Sequence, residues 1–184
     1  MTDTTLQTAL TRRRLLCGCA GLMAAGVLGA CSRSGSAGTA LAPVEADAKT
    51  SCALDGMLLA DYPGPKGQLR YKDSEQTVWF CDATELLSTL IAPEQVRPVA
   101  AAWVQDMAQA DWERPVGHWI AAQTATFVLG SRKHGSMGPT SPGFANVADA
   151  QAFATKNGGK VLAFAAIKAE DVDLSGGVRH DGRM

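Results

Sequence analysis

A thiol and a thioether lie close together in the chain: Cys52 and Met57 are five residues apart, with Gly56 beside the methionine. Sulfur is soft and polarisable, so it prefers soft metal ions, Cu(I) above all, whereas magnesium, calcium and manganese prefer oxygen. Because glycine adopts backbone conformations that other residues avoid, a turn at Gly56 would bring both sulfurs to one side of a loop. A Cys and a Met this close are also often two packed core residues. The spacing therefore leaves a soft-metal site and a core pair both open.

A second methionine, Met137, lies in a polar segment rich in Gly, Ser and Pro at residues 130–143. A methionine in such a loop is either half-packed filler or a ligand presented to a site. His134 lies three residues before it, and neutral imidazole suits copper. An exposed histidine beside Lys133 is also often simply solvated. We therefore keep Met137 as a candidate ligand and His134 as a candidate third or fourth ligand.

The first 30 residues have the pattern of an export signal. The Arg12-Arg13 pair begins a basic segment that runs into an apolar one, and this resembles the twin-arginine signal. The apolar stretch is too short for a comfortable transmembrane helix. It ends in the lipobox sequence LGAC at residues 28–31, in which Cys31 is lipidated and becomes the first mature residue. We expect a periplasm-facing protein held by its lipid, and Ser32 after the cysteine favours the outer membrane.

Export changes the cysteine count. Cys17 and Cys19 leave with the signal and Cys31 takes the lipid, so Cys52 and Cys81 are the thiols that remain. Two thiols in an exported protein usually suggest a disulfide, and a bridged sulfur cannot bind a metal as a thiolate. A disulfide-stapled adaptor without metal is therefore the main alternative to a metal-binding protein.

Composition and charge exclude several functions. The chain has 184 residues, a net charge of −1, two Tyr and five Phe, which gives neither a basic patch nor a stacking surface for nucleic acid. The sequence contains no Ser-His-Asp order, Gly-rich phosphate loop or zinc-ligand spacing. We therefore do not expect an enzyme. Thiol chemistry of the organomercurial-lyase kind, using Cys52, Asp55 and Cys81, is a third alternative.

The chain divides into four segments by composition. We expect residues 1–30 to be the signal and residues 31–50, rich in Ser, Gly, Ala and Pro, to be a lipidated flexible tether. Residues 51–174 are expected to fold. The Gly-rich, polar residues 175–184 are expected to be a disordered tail.

Two capped helices organise the folded segment. Asp82 and Glu85 have the spacing of a capping box, and Asn146 and Asp149 repeat this pattern in the second half. Each half reads as strand, strand, helix, strand. We predict an α+β body made of two ββαβ units. The units cover about residues 51–107 and 117–168, with β-favouring runs at 52–60, 68–73, 77–80, 99–104, 118–129 and 161–167 and a helix stop at 157–159.

Together, several of these segments resemble the NosL family, lipoproteins accessory to nitrous oxide reductase. The resemblance runs from about Cys52 to Ile167. It rests on GM at residues 56–57, PGP at 63–65, WVQD at 103–106, MG at 137–138 and GGKVL at 158–162. It implies paired ββαβ units and a Cu(I) chaperone that delivers copper to apo nitrous oxide reductase. A membrane copper complex or an ABC-type accessory complex is a further candidate partner.

The chain departs from the family pattern at Asp55, where many family members have a second cysteine. A carboxylate is a poor Cu(I) ligand. The resemblance therefore implies that the retained sulfurs, Cys52, Met57 and Met137, form the site, with His134 as an additional candidate. One thiolate with neutral thioethers makes a site that can release its metal, as a chaperone must.

The lipobox generates the first prediction. We expect Cys31→Ala to accumulate as an unprocessed precursor, because the lipidated cysteine is the residue at which the signal is removed. Intact-mass spectrometry of the membrane fraction measures this. Normal maturation of the variant would rule out the lipoprotein assignment.

Overall fold

The computed structural model describes residues 41–174. Helices and antiparallel sheets are mixed within this range, so the predicted α+β class is confirmed. The predicted signal, Cys31, the tether before residue 41 and the predicted tail at 175–184 lie outside the described residues. Within residues 41–174, no helix is both long enough and apolar enough to cross a membrane.

Four antiparallel strands form the first sheet: β1 at Gly67–Tyr71, β2 at Thr77–Phe80, β3 at Val99–Gln105 and β4 at Trp119–Ala121. Their order is β2-β1-β3-β4. The sequence predicted a half-exposed strand over residues 68–73. In the structure β1 lies inside the sheet, so its first three residues are buried and Gln68 is fully enclosed.

The second half of the chain contributes five short strands: β5 at Thr126–Leu129, β6 at His134–Gly135, β7 at Gly138–Pro139, β8 at Gly143–Phe144 and β9 at Lys160–Ala163. One sheet has the order β8-β5-β9, and β6 with β7 forms a separate hairpin. All four residues of β5 are buried. Phe127 packs in the main core with β1 and α1 residues, whereas Val128 packs against α2 residues, as the alternation of side chains along a strand requires.

Helix α1 spans Ala83–Ile91, and its first turn confirms the predicted capping box. The Asp82 carboxylate accepts the Thr84 N–H at 2.7 Å, and Glu85 Oε2 accepts the Asp82 N–H at 3.2 Å. This reciprocal pair satisfies backbone donors that a helix start leaves without partners. Leu86 and Leu87 then place the apolar face of the helix in the main core.

Helix α2 spans Val147–Asn157 and ends, as predicted, where Gly158 takes a positive φ of 76°. Its start differs from the prediction. Asn146 is the N-cap residue, but its side chain makes no capping bond; its amide donates to the Asp149 carboxylate at 3.1 Å. The second cap is therefore weaker than the first.

The strands β2-β1-β3 with α1 and the strands β8-β5-β9 with α2 have the same order and connection. An internal repeat nevertheless stays a prediction, because the strand run at residues 118–129 does not form one strand of the second unit. A 3₁₀ turn at Ala122–Thr124 divides it, and β4 pairs with β3 in the first sheet.

One predicted strand is wrong, and another is shorter than predicted. In the run at 52–60, Ser51 and Leu58 form a single bridge, and Gly56 at φ +77° turns the chain out of extended geometry. In the run at 161–167, β9 ends at Ala163 and a 3₁₀ turn follows, with Phe164 packing against Phe127 at 6.5 Å between ring centroids.

The folded body begins before residue 51, earlier than predicted. The Val44 backbone exchanges two hydrogen bonds with the buried Gln68 amide, at 3.0 and 2.9 Å. Glu45 accepts the Trp119 indole N–H at 2.8 Å. Because a buried amide needs partners, part of the segment assigned to the tether is held against the first sheet.

The two helix starts generate a matched pair of stability predictions. Asp82→Ala removes the capping acceptor and also the acceptor of the Thr140 hydroxyl at 2.7 Å, so we expect it to lower the free energy of unfolding by about 2 kcal/mol. Asn146→Ala should cost less than about 0.5 kcal/mol, because its side chain caps nothing. Urea unfolding followed by circular dichroism measures both. Equal losses would contradict this assignment of the caps.

Candidate metal centre

The segment from Cys52 to Met57 is a closed turn. The Cys52 N–H donates to the Met57 carbonyl at 2.8 Å, and the Gly56 N–H donates to the Cys52 carbonyl at 3.0 Å. The predicted turn at Gly56 is therefore present, with the positive φ that glycine allows. The turn buries the Cys52 side chain and leaves Met57 half-buried.

Cys81 lies between the end of β2 and the start of α1 and is fully buried. Three oxygen atoms surround its sulfur: the acceptors Glu85 Oε2 at 3.3 Å and Asp55 Oδ2 at 3.7 Å, and the Ser136 hydroxyl at 3.0 Å, which can donate or accept. A single S–H donates to one of them at a time. Cys81 therefore contacts the α1 start, the Cys52–Met57 turn and the β6–β7 hairpin.

Glu85 joins the two thiols. Its Oε2 atom accepts from Cys52 Sγ at 3.2 Å and from Cys81 Sγ at 3.3 Å, and the same atom accepts the Asp82 N–H of the capping box. With Asp55 they form a group of four possible ligands, one atom from each residue, all within 4.8 Å of one another. Apart from the exposed Asp55, the group is buried.

Burial keeps both thiols protonated. Desolvation is the main cause that raises the pKa of Cys81 far above its ordinary value, and it also raises the pKa of Cys52. Desolvation raises the pKa of Glu85 as well. A metal ion bound by these sulfurs has to displace their protons, because the thiolate is the metal-binding form.

A buried lysine lies beside the thiols. Lys66 Nζ donates to three carbonyl oxygens, those of Tyr62 at 2.8 Å, Pro63 at 3.0 Å and Cys81 at 3.1 Å. Three acceptors match the three N–H donors of an ammonium group. Burial lowers the pKa of Lys66, and the neighbouring acidic groups oppose that effect. The interior next to the thiols therefore carries a fixed cationic group.

The β6–β7 hairpin forms another wall of the site. Its turn holds Ser136, which touches Cys81, and Met137, which is 59% exposed. Gly135 lies against the Asp82 carboxylate, where a Cβ atom would overlap it. The absence of a side chain at this glycine therefore allows the hairpin to approach the start of α1.

The structure places the predicted site residues around the two thiols to different extents. Cys52 lies in the group of four, Met57 closes its turn, and Met137 follows the serine that touches Cys81. The side chain of His134 is exposed, and its carbonyl accepts the Trp112 indole N–H at 3.2 Å. Metal ligation by Cys52, Met57, Met137 and His134 stays a prediction.

The ligand set predicted from the sequence does not include Cys81, Glu85 or Asp55. Glu85 was assigned to the helix cap and Asp55 was set aside as a poor copper ligand. The available signal was the spacing of Cys81 and Glu85, four residues apart across a helix start, where side chains meet. Contact with Cys52, 33 residues from Glu85, has no local signal.

The arrangement permits two kinds of thiol chemistry. Two buried sulfurs within 4.8 Å suit a soft metal ion. A disulfide would require the same two sulfurs to approach to about 2.05 Å, and both thiols are free in the structure. The triad Cys52, Asp55 and Cys81, considered above for thiol enzymology, also lies together.

Comparison with known proteins narrows the choice between metal binding, disulfide formation and thiol enzymology. The sequence model of the NosL family matches residues 43–172. The copper-binding lipoprotein NosL of Stutzerimonas stutzeri is 35% identical over 162 residues, which cover 88% of this chain and 84% of that protein. Its counterpart in Achromobacter cycloclastes is 38% identical over 115 residues, or 60% of each chain.

A solved structure agrees with the sequence matches. The crystal structure of the copper chaperone NosL from Shewanella denitrificans has a TM-score of 0.66 and 40% identity, and the match covers 70% of this chain and 96% of that one. These relatives are described as copper-binding lipoproteins or as a copper chaperone, which confirms the prediction that this chain is not an enzyme. The chain belongs to the NosL family.

Proposed function

We propose that this protein is a lipoprotein anchored through Cys31 and facing the periplasm, with the outer membrane as its site. It binds Cu(I) and delivers it to apo nitrous oxide reductase for assembly of the copper centre. Relatives named copper-binding lipoproteins and a copper chaperone support the anchor and the cargo. A membrane copper complex or an ABC-type accessory complex is the candidate source of the metal.

One observation carries the proposal: a buried thiol pocket at the meeting point of the two segments that hold the predicted methionine ligands. The Met57 carbonyl bonds the Cys52 N–H, and Ser136, the neighbour of Met137, lies 3.0 Å from Cys81 Sγ. In this proposal Cys52 binds as a thiolate, and Met57 and Met137 supply thioethers. His134 is a reserve ligand from the hairpin.

Sulfur chemistry favours Cu(I) over the harder cations. Thiolate and thioether are soft ligands, whereas magnesium requires several oxygen ligands in octahedral geometry. Thioethers are neutral and bind less strongly than a thiolate. The exposed side chain of Met137 suits a ligand that can leave during exchange with a partner's sulfur or imidazole.

The competing function is the metal-free adaptor stapled by a Cys52–Cys81 disulfide. The short distance between the two thiols favours it, so it needs its own test. Alkylation of freshly isolated protein under denaturing, non-reducing conditions separates the two. Labels on both cysteines support the copper carrier. Labels that appear only after reduction support the adaptor.

For the site itself, we expect the parent to bind one Cu(I) and Cys52→Ala to weaken binding by more than about 100-fold, because it removes an anionic soft ligand. Met57→Ala and Met137→Ala should each cost about 10-fold, because water or His134 can partly substitute for a neutral thioether. Anaerobic competition against a chromogenic Cu(I) chelator measures all three.

Asp55→Ala is the matched control for Cys52→Ala, because both substitutions lie in the same turn. It should alter the Cu(I) affinity less than about threefold, because a carboxylate is a poor Cu(I) ligand. Wild-type affinity in Cys52→Ala would show that the proposed site is wrong. If Met137→Ala alone leaves the Cu(I) affinity unchanged, His134 becomes the candidate ligand from the hairpin.

The delivery step makes a separate prediction. Copper-loaded protein mixed with apo nitrous oxide reductase should transfer its copper, because the thioethers can be replaced one at a time by ligands of the receiving site. Metal analysis of the two proteins after separation measures the transfer, and copper-filled reductase is the control that should receive none. Copper retained by the carrier while the apo-reductase stays empty would overturn the delivery role.

A further inference from the structure

We propose that Cys81 is a second thiolate ligand, so that the metal is held between Cys52 and Cys81 in a two-thiolate site with Lys66 as the buried counter-charge. This inference rests on the proposed copper function and extends it by naming an additional ligand. The proposal is independent of whether either methionine also binds.

The two thiols are close enough to contact one metal ion. The two sulfur atoms lie within 4.8 Å of each other. A metal–thiolate bond is about 2.3 Å in zinc sites, so one ion can contact two sulfurs that are up to about 4.6 Å apart. Very little movement is therefore needed for one ion to reach both Cys52 and Cys81.

The two thiols also face the same point of the pocket. Both sulfurs point at the same atom, Glu85 Oε2, at 3.2 and 3.3 Å, although they come from segments far apart in the chain. Two thiols packed only as small apolar groups need not share one hydrogen-bond acceptor. The shared acceptor holds both sulfurs facing one point of the pocket, which is what two sulfurs that contact the same ion need.

A buried lysine beside the thiols bears on the charge of a metal-loaded site. Two thiolates and one Cu(I) carry a net charge of −1, and a buried net charge is costly unless it is paired. Lys66 Nζ lies 3.1 Å from the Cys81 carbonyl, and all three of its N–H donors are taken by carbonyl oxygens. The ammonium group is thus held in place beside the thiols by the backbone. It offsets part of the negative charge that two thiolates add beside the Glu85 and Asp55 carboxyl groups, and its hydrogen bonds occupy neither sulfur.

The binding step balances without an oxidant. Cu(I) enters as a monovalent cation, two S–H bonds break, two Cu–S bonds form, and two protons leave to solvent. Copper stays in the same oxidation state throughout. With a single cysteine ligand, one proton would leave.

Cys81→Ser tests the proposal, because it keeps the size and the hydrogen-bonding capacity of the side chain and removes the sulfur. The experiment uses mature protein purified in detergent from the membrane. We expect the variant to bind Cu(I) more than about 100-fold more weakly than the parent, since even outer-shell partners of a metal contribute 10- to 100-fold. The ultraviolet thiolate-to-copper absorption per bound copper should fall by about half, because one of two thiolates is lost.

A structural role for Cys81 would not change that absorption. Should Cys81→Ser fail to fold, the parent alone decides: binding of one equivalent of Cu(I) should release two protons, one from each thiol, in a titration at constant pH. Affinity within threefold of the parent with unchanged absorption, or release of a single proton, would overturn the two-thiolate site. Those results would leave the copper function intact, whereas a parent that binds no Cu(I) would remove both.

Discussion

The structure of the site depends on one carboxylate oxygen, Glu85 Oε2. It accepts the backbone N–H of Asp82, the thiol of Cys52 and the thiol of Cys81. The first contact starts α1, and the other two fix the sulfurs. A buried donor left without its acceptor costs about 1–3 kcal/mol, so none of the three groups can move away independently at low cost. Helix capping and sulfur placement are therefore coupled through a single atom.

This coupling explains how the protein can hold reactive groups without using them. Burial raises the pKa of both thiols, so they stay protonated and poorly nucleophilic while the site is empty. In the two-thiolate proposal a soft cation reverses the balance, because metal binding favours the deprotonated sulfurs and Lys66 offsets part of the added negative charge. Met57 is half-buried at the end of the Cys52–Met57 turn, and Met137 is exposed in the turn of the β6–β7 hairpin. The deep part of the site thus suits binding, and its outer part suits release.

Sequence patterns predicted those features that depend on neighbouring residues. The Asp82–Glu85 capping box, the stop at Gly158 and the turn at Gly56 follow from local backbone chemistry and are confirmed. The extent of the strands was predicted less well, because the division of residues 118–129 between two sheets depends on tertiary packing. The same limit applies to the site. Cys52 stood out by its spacing to Met57, whereas the second role of Glu85 depends on contacts that cross the chain and have no local pattern.

In the proposed function, soft sulfur ligands in this buried pocket hold the cargo as Cu(I). Copper K-edge X-ray absorption of the protein loaded anaerobically with one equivalent of Cu(I) tests it most directly. We expect an edge typical of monovalent copper and a first shell dominated by sulfur, with that sulfur signal reduced in Cys52→Ala. A first shell made of nitrogen and oxygen, unchanged by Cys52→Ala, would contradict it.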